Sequence, residues 1–328
     1  MVALALAALL AVAPAPPPQQ PPSAPQNPPP QAQAADPAPV DLGDVEVTGR
    51  TLDSMIRSFV DEVAAPNRRR GIARWDDRIC IGVANLRAEP AQYIVDRVST
   101  VAGELGVIPG EPGCSPNVII IASDDPDGLA RQLTEERRRA FRMGGSGMDR
   151  GGAALERFVA SDAPVRWWQV SMPANAETGQ RATRIPGECS GDCDAAGIDP
   201  SAYAPSISVF AASRLSTQIV DYIFRTVVIL DIDQIGGVSA QQLADYVAMV
   251  TLAQIDPEAD TSSYASILNV FEGSDSAAGL TEWDTAYLSG LYDAERTRKN
   301  LHAGTTEIAD SIHRAHEQAR AGEGDGEE

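Results

Sequence analysis

Apolar positions recur along this chain in two periods, one near 3.6 and one near 2, and together they predict most of its elements. Leu52, Met55, Ile56, Phe59, Val60 and Val63 fall on one helical face. The run RICIGVA (78–84) is short, apolar and rich in β-branched residues, the pattern of a buried strand. EPAQYIVDRVSTVAGELG follows as a helix, with Pro90 in its first turn and Gly106 near its end. NVIIIAS (117–123) predicts a second strand and DGLARQLTEERRRAFR (127–142) a surface helix. MGGSGMDRGG carries too many glycines to hold a regular element cheaply and is expected to be a mobile loop. VRWWQVSM and SISVFA are further strand candidates, and RTVVILDID (225–233) is the strongest strand pattern of all. The stretch RLSTQIVDYI before it is ambiguous.

Ser239 and Gln242 make a capping-box pattern ahead of a run that is apolar almost all round: Leu243, Ala244, Val247, Ala248, Val250, Leu252, Ala253 and Ile255. A helix of that kind belongs inside a domain. Thr281 and Asp284 make the same box for a closing helix, TEWDTAYLSGLY. Strands and helices mix without strict alternation. The expected fold is α/β (α+β), a single domain at 47–298 with a mixed sheet, a buried central helix and a closing C-terminal helix. Residues 1–15 read as a signal-peptide-like segment, 16–46 as a Pro/Gln/Ala-rich disordered linker, and 299–328 as a helical then acidic tail.

The segments VSAQQLADYVAMVTLAQID, SILN and GLTEWDTAYLSGLY, taken in order, resemble the C-terminal half of metzincin-type, matrixin-like zinc proteases. In that family a long buried helix carries H-E-x-x-H-x-x-G-x-x-H, a turn contains S-I-M-N, and a final helix ends in L-T-x-x-D-x-x-x-x-x-x-L-Y. The resemblance spans roughly 227–292, within a half at about 205–298, and implies a zincin-like fold. It puts Asp245, Met249 and Ile255 at the three zinc-ligand positions and Tyr246 at the general base. Leu252 replaces the glycine and Leu268 the turn methionine. Catalytic zinc needs three His or carboxylate ligands and a base for its water, so the resemblance implies a degenerate core without metal or cofactor. The three pseudo-ligand positions are expected along one helix, packed among apolar side chains. Asp245 is expected to face the vestigial cleft, and as a lone charge it must reach solvent, an arginine or a backbone donor.

Charge and residue counts narrow the chemistry. A net charge of −20 in 328 residues argues against nucleic acid, since phosphate binding needs concentrated Lys and Arg. The two basic stretches, NRRRGIAR and EERRRAFR, read as solvated faces. The three histidines, His302, His313 and His316, all lie beyond 298, which removes Ser-His-Asp and Cys-His catalysis from the core. His313, His316 and Glu317 could chelate a metal, but read better as an exposed tail helix. Four cysteines in a chain with a signal-like start favour disulfides, and nearest neighbours are the expected pairs: Cys80–Cys114 and Cys189–Cys193.

Two other patterns invite chemistry. Asp231 and Asp233, at the end of a strand, resemble the nucleophile and acid/base of haloacid-dehalogenase-like phosphotransferases; the alternative is that they cap a strand end. In SDDPDG the acids stand at calcium-loop spacing or, more simply, at a helix start. Trp167 and Trp168 put one indole on each face of a strand, one in the core and the other available to a ligand. The resulting expectation is an exported, periplasmic or secreted non-catalytic protein. It would act by binding an unknown protein or small molecule, or as a structural factor of the cell envelope, with no transmembrane segment after the signal. The alternative is a metal-dependent hydrolase or phosphotransferase using Asp231 and Asp233.

Overall fold

Four of the helices begin where the sequence supplies a side-chain acceptor for the open N–H groups of the first turn. The structure, a computed structural model, describes residues 51–67, 70–142, 148–182, 216–298 and 301–324. Thr51 caps α1 (Leu52–Val63), whose Ile56, Phe59, Val60 and Val63 are buried as their spacing requires. Next come β1 (Arg78–Ile79), β2 (Ile81–Ala84), α2 (Ala88–Glu104), β3 (Ile108–Pro109) and β4 (Val118–Ser123). Asp125 then caps α3 (Pro126–Glu136) by accepting the Gly128 N–H at 2.9 Å, so the acids of SDDPDG serve a helix start. The predicted surface helix breaks at Arg137, and α4 (Arg138–Phe141) is a single further turn. A helix not expected from the sequence, α5 (Gly152–Ala160), grows out of the end of the glycine-rich stretch, whose residues 143–147 lie outside the described residues.

The second half holds β5 (Val165–Asn175), β6 (Ile219–Asp231), α6 (Ala240–Leu252), a turn at Ile267–Asn269, α7 (Glu282–Asp293) and α8 (Leu301–Gly324). Of the ambiguous stretch before RTVVILDID, Ile219 to Ile223 belong to β6, which is thirteen residues long. Four strands make a mixed sheet in the order β2-β4-β6-β5, with β2, β4 and β6 parallel and β5 antiparallel at one edge. A separate short parallel pair joins β1 to β3. The fold is thus mixed α/β, in the α+β sense, with eight helices among the described residues.

Alternation along the strands divides the core between the two faces of the sheet. Val118, Ile120, Val165, Trp167, Val228 and Leu230 point into the larger core, shared with α1, α2, α6, α7 and α8. Trp168, Val170, Val227 and Ile229 point into a smaller one under α3, α4 and α5. β6 is apolar on both sides because both of its faces are covered, which explains why its pattern was the strongest in the sequence. Both tryptophans are core: their indole N–H groups bond the Ile255 and Phe141 carbonyls at 3.2 and 2.9 Å. Both nevertheless border the cleft described below.

The segment after 298 is not an appendage. Ile308, Ala309 and Ile312 of α8 are buried in the larger core, and His316 is buried beside Trp283, with ring centroids 5.0 Å apart. Gly290 makes this close approach possible, because a Cβ there would come within 2.5 Å of the Ile312 backbone. Cys80 and Cys114 are bonded, with Cα atoms 6.1 Å apart. Cys189–Cys193, SISVFA and everything expected of residues 1–46 lie outside the described residues. Replacing both Cys80 and Cys114 by serine is expected to lower the unfolding free energy by about 2–4 kcal/mol, from the loop the bond closes. Urea denaturation checks this, and an unchanged midpoint would mean that the bond contributes nothing.

Candidate functional site

The region singled out by the sequence begins with a complete capping box. Ser239 and Gln242 bond each other's backbone N–H groups, and the Gln242 amide also donates to the Ser274 and Ala277 carbonyls at 2.6 Å each. Those bonds tie α6 to the loop ahead of α7 and leave the rest of the helix buried nearly all round.

The three pseudo-ligand positions do not converge. Asp245 has no solvent exposure and points toward α2, where the Arg97 guanidinium bonds it. The Leu280 N–H donates to its other oxygen at 3.0 Å. Gly279 leaves the room for this, since a Cβ there would meet Asp245 Oδ2 at 2.5 Å. Met249, one turn on, is wholly buried in the core. Ile255 is not on the helix at all: α6 ends at Leu252, and Ile255 pairs with Ala64 in an isolated antiparallel bridge. The expectation of three positions along one helix fails because the chain turns extended at Ala253.

A cleft of about 290 Å³ opens beside this region, but it is Tyr246, not Asp245, that faces it. One residue along a helix is a rotation of about 100°. Tyr246 packs edge-on against Phe271 and Trp167, at 5.0 and 6.1 Å, and burial pushes its phenol well above the usual range. Trp167 and Gln169 of β5, together with Ile255, form further walls. The Gln169 amide is held by the Val250 and Ala253 carbonyls at 3.0 and 2.9 Å. Three arginines line the cleft and each has a carboxylate partner: Arg157 with Glu258 at 2.9 Å, Arg150 with Asp256 at 2.8 Å and Arg166 with Asp127 at 2.9 Å.

β5 contributes more than side chains. Asp231 donates its N–H to Pro164, Thr226 sends its own toward Asn117, and the register pairs Val165 with Leu230. Antiparallel alternation then directs the main-chain groups of Val165, Trp167 and Gln169 away from β6. Lower on the same edge, Ser171 donates to Met148, while Pro173 and Asn175 bond the returning chain at Ala182 and Gln180. The upper edge, beside the cleft, has no such main-chain partner among the described residues.

Asp284 of α7 is buried and joins two of the quoted segments. It accepts from the Ser266 hydroxyl at 2.6 Å and the Ile267 N–H at 2.8 Å, both in SILN, and from Thr281 N and Oγ1 at 3.0 and 2.9 Å. At the end of β6, Asp231 accepts from the Asp233 N–H at 3.0 Å and the Gln234 amide at 2.6 Å, closing a turn, while Asp233 is exposed. Among the described residues, no three His, Cys, Asp or Glu side chains converge in a way that could hold a metal ion. No described helix is long and apolar enough to cross a membrane. Comparison with protein families, with curated proteins and with solved structures finds no match for the chain.

Proposed function

We propose that this chain is a non-catalytic binding protein of the cell envelope, built on a degenerate zincin-like core, and that it captures an extended polypeptide segment beside β5. The observation that carries the ligand is the upper edge of β5, without a main-chain partner among the described residues, standing over a cleft with aromatic and apolar walls. An exposed strand edge is a template for another strand, and added strands take their affinity from main-chain bonds and their specificity from pockets for alternate side chains. The zincin-like reading is supported by Asp284, the aspartate of the L-T-x-x-D segment, gripping the Ser266 and Ile267 of SILN. Segments quoted separately from the sequence thus act as one structural unit. The non-catalytic reading rests on residue chemistry. Asp245 is already bonded on both oxygens, Met249 and Ile255 offer no hard ligand, and every histidine lies on α8. The disulfide fits an oxidising compartment, periplasmic or extracellular.

Peptide-array selection on the folded protein, followed by calorimetric titration, is expected to return an extended segment of about five residues, the number that spans one short strand. Methylating alternate nitrogens of that segment is expected to weaken binding about tenfold, the loss of one or two main-chain bonds. Affinity indifferent to methylation, or no peptide ligand at all, would sink this reading.

A further inference from the structure

A second cavity, of about 230 Å³, lies at the opposite end of β6 from the Asp231 turn. Its walls come from the start of β6, the segment after α1 and the junction of α7 with α8. Four arginines gather around it, in a chain whose acids outnumber its bases by 46 to 26. Two of them are matched. Arg70 lies 3.6 Å from the buried carboxylate of Asp221, and Arg298 meets Glu295 and Glu307 at 3.3 and 3.4 Å. The other two, Arg74 and Arg296, have no carboxylate within 4.0 Å among the described residues. Arg74 donates to the Leu291 and Ala294 carbonyls and lies over Tyr292. Arg296 donates to the Asp221 main-chain carbonyl and stacks 4.3 Å from the centre of the Tyr222 ring, with its Nε buried and unbonded. Asp76 is turned to the Tyr222 hydroxyl.

Two half-buried guanidinium groups with no carboxylate within 4.0 Å are costly, and backbone carbonyls, ring faces and the more distant charges of Asp221 and Asp76 offset only part of that cost. Burial first, and then the like charge of Arg74, pulls Arg296 down to about 10. Arg296 lines the cavity and Arg74 does not. Ile72, Ile219, Leu291 and Ile308 supply an apolar part of the wall, which the carboxylates of Asp221 and Glu295, each beside its own arginine, also line. Ile219 is one of the few large apolar side chains left exposed among the described residues.

We propose that this cavity binds a small organic oxyanion, its carboxylate or phosphate head on Arg296 and a short aliphatic tail against Ile219 and its apolar neighbours. Guanidinium groups match both heads because they offer paired donors in one plane. A cavity of this size holds the head and only a few carbons, which excludes a long lipid chain.

The test is a set of thermal-melting titrations of the full chain at constant ionic strength with inorganic phosphate, hexyl phosphate and hexanoate. Hexyl phosphate or hexanoate is expected to raise the melting temperature saturably, and hexyl phosphate to bind about tenfold more tightly than inorganic phosphate, through its buried methylenes. Whether the phosphate or the carboxylate binds better identifies the head group. Arg296→Gln is expected to weaken the better ligand about tenfold, with Arg296→Lys intermediate. Ile219→Ser, at the mouth where folding is not at stake, is expected to weaken hexyl phosphate severalfold and leave inorganic phosphate unchanged. The proposal is overturned if none of the three probes saturates, if the hexyl tail adds nothing, or if Ile219→Ser weakens both phosphates equally.

Discussion

Replacing Asp284 by alanine is expected to cost about 3–4 kcal/mol, one of the two largest effects of any single substitution considered for this chain. The carboxylate has no solvent exposure and four donors converge on it: the Ser266 hydroxyl, the Ile267 N–H, and the N–H and hydroxyl of Thr281. Alanine strands buried donors and loosens the turn at Ile267–Asn269 from α7. Asparagine keeps the shape and one acceptor, so about half the loss is expected. The pH dependence has a definite sign. Burial raises the Asp284 pKa above its ordinary 3.8 and outweighs the donors that favour the anion. A raised folded-state pKa contributes stability that is complete below the unfolded value and is lost as pH rises through the folded one. The margin of the wild type over Asp284→Asn is therefore expected to narrow as pH is raised from below 3.8 through that raised value. Urea unfolding at a series of pH values measures it, and a constant margin would contradict the assignment.

Arg97→Leu is expected to cost a similar 3–4 kcal/mol, because it leaves Asp245 charged, out of contact with water and held only by the Leu280 N–H. Asp245→Leu is expected to cost less, about 2 kcal/mol, since the Arg97 side chain is 31% exposed and can hydrate once released. The double variant removes both charges and is expected to be more stable than the sum of the single losses by at least about 1 kcal/mol. Strict additivity would mean that the pair contributes nothing as a pair. None of these variants is expected to alter a catalytic rate; a hydrolytic activity abolished by Asp245→Leu would overturn the non-catalytic reading.

The arginines of NRRRGIAR show how a local pattern can mislead. Three basic residues in a row read as a solvated face, yet Arg70 and Arg74 turn inward onto Asp221, Tyr292 and the α7 carbonyls. Their partners lie some 150 to 220 residues away in the chain, beyond the reach of any periodicity. The same holds for Asp245. Its need for a partner was legible from one charge in an apolar helix, whereas Arg97 on α2 was not.

By itself the sequence determined what short-range physics decides. The caps at Ser239 and Thr281, the apolar face of α1 and the RTVVILDID part of β6 are all statements about neighbours within a few residues, and each is visible in the one-dimensional pattern. The bond between Cys80 and Cys114 was the preferred one among three possible pairings, and the structure forms it. Only the tertiary structure decided that β5 is the antiparallel edge and that α6 stops before Ile255. It also decided that Tyr246 rather than Asp245 meets the cleft, that both tryptophans are core, and that α8 docks through Gly290 and Ile312. Those outcomes depend on which surfaces meet across the sheet. A helix buried on every side has no polar stripe to reveal which way it faces, and a carboxylate or guanidinium declares its charge but not its counterpart.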